Sequence, residues 1–143
     1  MVINRIDSAW YYQGSIFEPD EEFLKPFVGF VYCITEIDTG MKYIGKKFFW
    51  STRKLPPLKG KTRKRTKVVQ SDWRDYFGSS EEVKTLVENG VAFKREILRL
   101  CISKGECSYY EMKEQIERDV LLKPDEYYNA FVGGKIHRKH VLK

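Results

Sequence analysis

The chain is short of the residues that build redox, metal and membrane proteins. Its three cysteines, Cys33, Cys101 and Cys107, are an odd number with no CxxC and no histidine-rich spacing, which argues against a zinc ribbon or a disulfide framework. Cys33 and Cys101 fall in apolar, strand-like runs, where reduced buried thiols are expected. The two histidines, His137 and His140, stand in a basic HRKH tail and read as exposed cations rather than catalytic bases. No apolar run approaches the ~20 residues of a membrane span. The opening MVINRIDSAW carries acid and polar residues where a signal peptide would be apolar, so an intracellular, cytoplasmic protein with no membrane partner is expected. No internal repeat is visible.

What the chain does have is aromatic residues and one-sided charge. Its 143 residues are 42% hydrophobic, 32% charged and 15% aromatic, the composition of a folded chain able to bury a core. The formal charge is +6, which suits an anionic partner. From Lys46 to Arg74 there are eleven Lys and Arg against one acid, Asp72, a surplus of ten. Subtracting that from +6 leaves −4 for everything else, so the basicity belongs to one segment.

Residues 1–27 read as an N-terminal extension packed on the domain, because Trp10, Tyr11, Tyr12, Ile16 and Phe17 are too aromatic for a free tail while Gly14 and Pro19 break helix. Then comes GFVYCITEIDTGMKYIGKK, residues 29–47. Val28, Phe30, Tyr32 and Ile34 alternate, as do Met41 and Tyr43, around an Ile37-Asp38-Thr39-Gly40 turn, which predicts a β-hairpin. Its tyrosines, Tyr32 and Tyr43, lie eleven positions apart on opposite arms, followed by Lys46 and Lys47. Ordinary cross-strand aromatics would look the same, but two phenols beside a basic rim also suit chemistry on a phosphate.

Pro56-Pro57 and Gly60 forbid helix in the next stretch, and Lys61, Arg63, Lys64, Arg65 and Lys67 crowd it with cations. It reads as a basic insertion loop over about 50–70, either a self-repelling solvated loop or an arm on nucleic-acid phosphates. Ser71 to Tyr76 predicts a short helix stopped by Gly78, and Ser79-Ser80-Glu81-Glu82 opens another closed by Asn89-Gly90. Phe93 to Ile102 alternates imperfectly but favours a strand. Ser108 to Leu122 predicts a long helix ended at Pro124. Together these give an α/β fold, a small mostly antiparallel three-stranded sheet flanked by helices, as a single domain over 1–143.

Phe30-Val31-Tyr32 and Lys42-Tyr43-Ile44-Gly45, at that spacing, resemble the paired signature of the GIY-YIG endonucleases. Further members of the ordered set are present. Arg53 stands ten positions beyond the second tyrosine, Glu111 lies in the helix SYYEMKEQIERDVLL, and Asn129 follows in Tyr-Tyr-Asn. With the basic insertion, SDWRDYFGSS and EYYN, the chain looks most like the phage-encoded Seg-type members over roughly residues 27–135. Two departures stand out. Gly29 precedes the first motif's usual glycine position by one, and Pro56-Pro57 follows Arg53 where the family's arginine helix would run. Arg74 therefore competes with Arg53, and Glu114 is an alternative to Glu111 one turn away.

The resemblance implies a DNA endonuclease, possible homing-type biology and, if phage-encoded, a host-cell cytoplasmic location. It implies that Glu111 holds one Mg²⁺, or Mn²⁺, and that an arginine pairs with the phosphate of double-stranded DNA. Tyr32 would be general base, its phenol pKa of about 10 lowered by the ion and by Lys46 or Lys47. Tyr43 would orient water or phosphate and Asn129 would lock the geometry. The alternative is a non-catalytic nucleic-acid-binding module on the same fold; oligomeric state stays open.

Overall fold

The computed structural model describes residues 9–133; His137, His140 and the rest of the basic tail lie outside them. Among the described residues, seven strands, β1 (Trp10–Tyr12), β2 (Ser15–Ile16), β3 (Gly29–Glu36), β4 (Lys42–Phe48), β5 (Trp50–Leu55), β6 (Arg65–Gln70) and β7 (Phe93–Cys101), are joined by helices α1 (Glu21–Leu24) after β2, α2 (Glu81–Glu88) after β6 and α3 (Lys104–Glu117) after β7. Single 3₁₀ turns occupy Trp73–Asp75 and Val120–Leu122.

The main sheet has five strands in the order β2-β1-β7-β3-β4, not three. The expected antiparallel core, β7-β3-β4, is there, with Tyr32 opposite Gly45 and Ile34 opposite Tyr43. The two additional strands come from the N-terminal extension: Trp10–Tyr12 pairs in parallel with Arg95–Ile97, and β2 folds back on it. Pairing gives those backbone groups their partners, which a merely draped segment would lack.

β3 is central and covered on both faces, so it reads as a continuous apolar run rather than an alternating one. Phe30, Tyr32 and Ile34 pack with Trp10, Leu24, Phe49, Trp73, Val83, Phe93 and Ile97. Val31 and Cys33 pack on the other face with Ile44, Cys101, Cys107 and Val120. All three cysteines are free and buried. Between Val31 and Tyr32 the β3–β7 register shifts, leaving Leu98 as the extra residue of a bulge on β7. A bulge reverses which face each later residue takes. Phe93 and Ile97 thus serve the first core, while Leu98 and Cys101 serve the second.

α2 begins at Ser80, whose side chain accepts from Val83 N, and ends at Asn89 before Gly90 at φ +86°. α3 begins earlier than the periodicity suggests, because Ser103 caps it by accepting from Glu106 N at 3.0 Å. It ends at Arg118, where Asp119 turns left-handed at φ 54° before the 3₁₀ turn. Of the loop expected over about 50–70, both ends are instead a second, two-stranded sheet, β5 paired with β6 from Trp50↔Gln70 to Leu55↔Arg65, and 56–64 connect them. Pro56 and Pro57 fall outside the paired strands, in the connection, where a missing N–H does no harm. Among the described residues no helix is long and apolar enough to cross a membrane.

Candidate active site

β4 is an edge strand, and its free edge is where the candidate site forms. Lys42 N donates to Glu126 O and Tyr128 N donates to Lys42 O, so the segment after α3 runs along the edge as a partial strand. Asn129 continues that pairing with its side chain. Its Oδ1 accepts from Ile44 N at 3.0 Å and its Nδ2 donates to Ile44 O at 2.8 Å, a contact shared by Gln115 Nε2 at 3.0 Å. These bonds satisfy a buried backbone pair and fix β4 against α3.

A cavity of about 450 Å³ opens beside this junction, walled by Tyr43, Lys46, Ser79, Glu81, Glu111 and Asn129 among others. On one side of β4, Tyr43's hydroxyl shares a 2.8 Å hydrogen bond with Ser79 Oγ. On the other, Lys46 Nζ donates to Ser108 Oγ at 2.8 Å and stands 3.7 Å from Glu111 Oε1. Burial pushes the Glu111 carboxyl up from its ordinary value despite the opposing pull of Lys46. Glu114, one turn on, is turned away to Arg118 at 2.9 Å. The geometry therefore puts Glu111, and not Glu114, on the cavity wall.

Tyr32 sits behind that wall. It is fully buried, with Tyr76 edge-on at 5.9 Å and Tyr43 tilted at 6.3 Å. Burial, then the neighbouring phenols of Tyr76 and Tyr43, push its hydroxyl well above the usual value. Burial raises Tyr43 as well, against the Ser79 hydrogen bond. Two glycines make room for these phenols. A Cβ on Gly45 would overlap the Tyr32 hydroxyl, and one on Gly78 would press Tyr43's ring at 3.3 Å. Gly78 also sits at φ +95°, where a side chain is strained.

The remaining cations fall elsewhere. Lys47 pairs with Asp72 at 2.7 Å and lies over the Tyr76 ring at 4.2 Å. Arg53 is exposed on β5 opposite Lys67. Arg74 donates to Gln70 and to Pro19 O, stacks on Trp73 at 4.4 Å, and borders a separate cavity with Trp10 and Arg95. Lys61, Arg63, Lys64, Arg65 and Lys67 are all exposed along the β5–β6 hairpin and its connection. The site thus gathers Tyr43, Lys46, Glu111 and Asn129 with Tyr32 behind, and leaves both arginines apart.

Sequence reasoning named residues 71–80 but missed the residue that fixes them beside the phenols. Arg95, a buried cation in mid-strand, donates through Nη1 to Arg74 O at 2.9 Å and Tyr76 O at 2.8 Å. Its guanidinium lies between the rings of Trp10 and Phe77, at 4.7 and 4.2 Å. Burial lowers its pKa to about 10. Through those bonds Arg95 ties residues 74–77 to β7, which sets Tyr76 beside Tyr32 and leads into Gly78 and Ser79. An arginine at an inward position of an alternating strand was the available signal.

At this sheet edge Asn129 and Gln115 meet on Ile44, joining the hairpin that carries the two phenols to the helix that carries Glu111. Residues 10–132 match the family model described as "Putative endonuclease segE, GIY-YIG domain", and the chain belongs to that family. Its function is therefore, in general terms, that of a nuclease acting on nucleic acid. No curated protein and no solved structure matches the chain.

Proposed function

We propose that the protein hydrolyses phosphodiester bonds of double-stranded DNA at the β4 edge, with Mg²⁺ or Mn²⁺ held at Glu111. The observation that carries this is the placement of one half-buried carboxylate, one lysine and one phenol around a single cavity open to solvent. The donor set fits a hard cation. No group of three or more His, Cys, Asp or Glu is clustered among the described residues, and Mg²⁺ commonly takes one or two carboxylates and fills its other positions with water and substrate phosphate. Glu111 supplies the carboxylate, and Glu81 is a second oxygen donor in the same wall. Bound there, the ion would act as a Lewis acid on the phosphate and ease deprotonation of nearby O–H groups.

The protein's own residues divide the remaining tasks. Lys46, anchored by Ser108, places an ammonium beside the phosphate that Glu111 faces, where negative charge grows in the transition state. Tyr43 is the phenol on the cavity wall and orients the attacking water or the phosphate, with Ser79 sharing a hydrogen bond with its hydroxyl. Tyr32, fully buried, supports Tyr43 rather than meeting the substrate. Asn129 and Gln115, both donating to Ile44 O, keep β4 and α3 in register, so that Tyr43, Lys46 and Glu111 hold their separation. Arg53 and Arg74 are the two candidates for the phosphate-pairing arginine. Homing-type cleavage at a long, rare site is the finer form of this reading.

Supercoiled plasmid incubated with the protein should be nicked or linearised in Mg²⁺ or Mn²⁺ and left intact in EDTA. Glu111→Ala should abolish cleavage while duplex binding persists, and Glu114→Ala should lower the rate less than about tenfold, since its side chain serves Arg118. Binding without metal-dependent cleavage across a broad panel of DNAs would leave only the binding module.

A further inference from the structure

We propose that the β5–β6 hairpin is a groove-seated ribbon, gripping phosphates with one face and reading base edges of duplex DNA with the other. The proposal rests on the nuclease reading for its choice of partner, and on the hairpin for everything else. Residues 50–70 contain eight Lys and Arg and no acid. Among the described residues none of the eight pairs with a carboxylate. Cations placed this way are held for an external anion.

The register sorts the two faces. Arg53 lies opposite Lys67 and Leu55 opposite Arg65, so one face carries three cations, two of them directly across from each other. Like charges in that position repel, and a phosphate between or beside them removes the repulsion. The opposite face carries Thr52 across from Val68 and Lys54 across from Thr66. Apart from Lys54 it is small, β-branched and exposed, with Val68 at 66%. An exposed valine stabilises nothing on an arm in water, but in a major groove it meets a thymine methyl, and threonines hydrogen-bond base edges.

Size and composition select the duplex. Six paired residues span about 20 Å, and a two-stranded ribbon fits a major groove about 12 Å wide. Single strands are held mainly by stacking on aromatic rings, and residues 51–69 contain none. The root is tied to the protein body, so the ribbon is presented rather than trailing. Trp50 Nε1 donates to Phe27 O at 2.9 Å, and Ser71 bonds Phe48 O and Phe49 O at 2.6 and 2.7 Å.

The test uses the full chain and binding alone, in EDTA. A preferred duplex is selected from a randomised library, then titrated against a scrambled duplex, its own single strand and anionic phosphatidylserine vesicles at several salt concentrations. Wild type should bind the selected duplex best. Thr52→Ala/Thr66→Ala/Val68→Ala should cut the selected-to-scrambled preference at least about tenfold with the salt slope unchanged. Arg53→Ser/Lys67→Ser should reduce that slope by about two and keep the preference. Melting curves matching wild type certify that both variants fold.

Four results would overturn the proposal: no duplex enriched, single strands or vesicles bound as tightly, a preference untouched by the Thr/Val variant, or a slope untouched by the Arg/Lys variant. Failure of cleavage with the binding pattern intact would instead strike the nuclease reading alone. Cleavage with both arm variants binding like wild type would strike only the ribbon.

Discussion

Glu111 meets two opposed demands. To hold a cation it must be ionised, yet burial raises its carboxyl above the ordinary value, so ionising it strains the fold. The sign follows from linkage. Below the carboxyl's unfolded-state pKa both states are protonated and no penalty exists. As pH rises past that value the unfolded chain ionises first, and the penalty is complete once the folded carboxyl has ionised too. Glu111→Gln should therefore melt with wild type near pH 3 and above wild type at pH 7, while losing cleavage; a lower melting temperature at pH 7 would contradict the burial argument. Activity should follow the same group. The acid limb of kcat/KM should lie above the ordinary carboxylate range and move down as Mg²⁺ rises, because metal and proton compete for one carboxylate. At Gly45 the constraint is steric. Gly45→Ala would drive a methyl into the Tyr32 hydroxyl, in a core where Tyr32 has no exposed surface to retreat to. Overpacking of this kind costs about 1–3 kcal/mol, measurable by urea denaturation, and should cut cleavage further by displacing Tyr43.

Among the elements, the hairpin β3–β4 was legible because β-branched and aromatic composition, turn residues and tyrosine spacing all agree locally. β7 was legible only in outline, and its bulge explains why. Leu98 breaks the alternation that Phe93, Arg95 and Ile97 begin, so no single period fits FKREILRLC. β1 and β2 were hidden because three- and two-residue strands carry no period at all; their identity comes from the edge of β7 they pair with. The hairpin over 50–70 was hidden by its cations and prolines, which argue for a loop when burial is assumed, whereas this ribbon buries almost nothing. Glu111 could not be separated from Glu114 on paper, since the choice depends on Arg118 claiming one of them. Arg95 shows what an element gains from an inward charge. Arg95→Met keeps the apolar stem but strips the donor from the carbonyls of Arg74 and Tyr76. A lost partner for buried groups costs about 1–3 kcal/mol. Because those carbonyls precede Gly78 and Ser79, cleavage should fall along with stability. Stability lost with full activity retained would show that residues 74–79 do not position the site.

At the scale of the whole molecule the charge is divided, a surplus of ten between Lys46 and Arg74 against −4 for the rest. Such a molecule is drawn to DNA by one side, and the division predicts how cleavage responds to salt. Contacts of the exposed cations to phosphate are made equally in the ground and transition states, so they act on capture and not on the chemical step. The interactions that change during reaction lie in the cavity, where Lys46 and Glu111 are largely withdrawn from solvent, with side-chain exposures of 31% and 18%, and are screened less than surface charges. Raising salt from 50 to 200 mM should therefore lower kcat/KM steeply, following counterion release at roughly −0.9 per phosphate contact, while kcat at saturating DNA changes less than about threefold. Replacing residues 54–66 by a short Gly-Ser turn, which keeps Arg53, should reproduce the high-salt behaviour at low salt: KM raised, kcat held. The five-stranded sheet should survive that deletion, because β5 and β6 pair only with each other. Steady-state kinetics at four salt concentrations on one duplex check both forms. A kcat that falls in step with kcat/KM would mean that the arm helps assemble the active site, and that capture and chemistry are not separate in this protein.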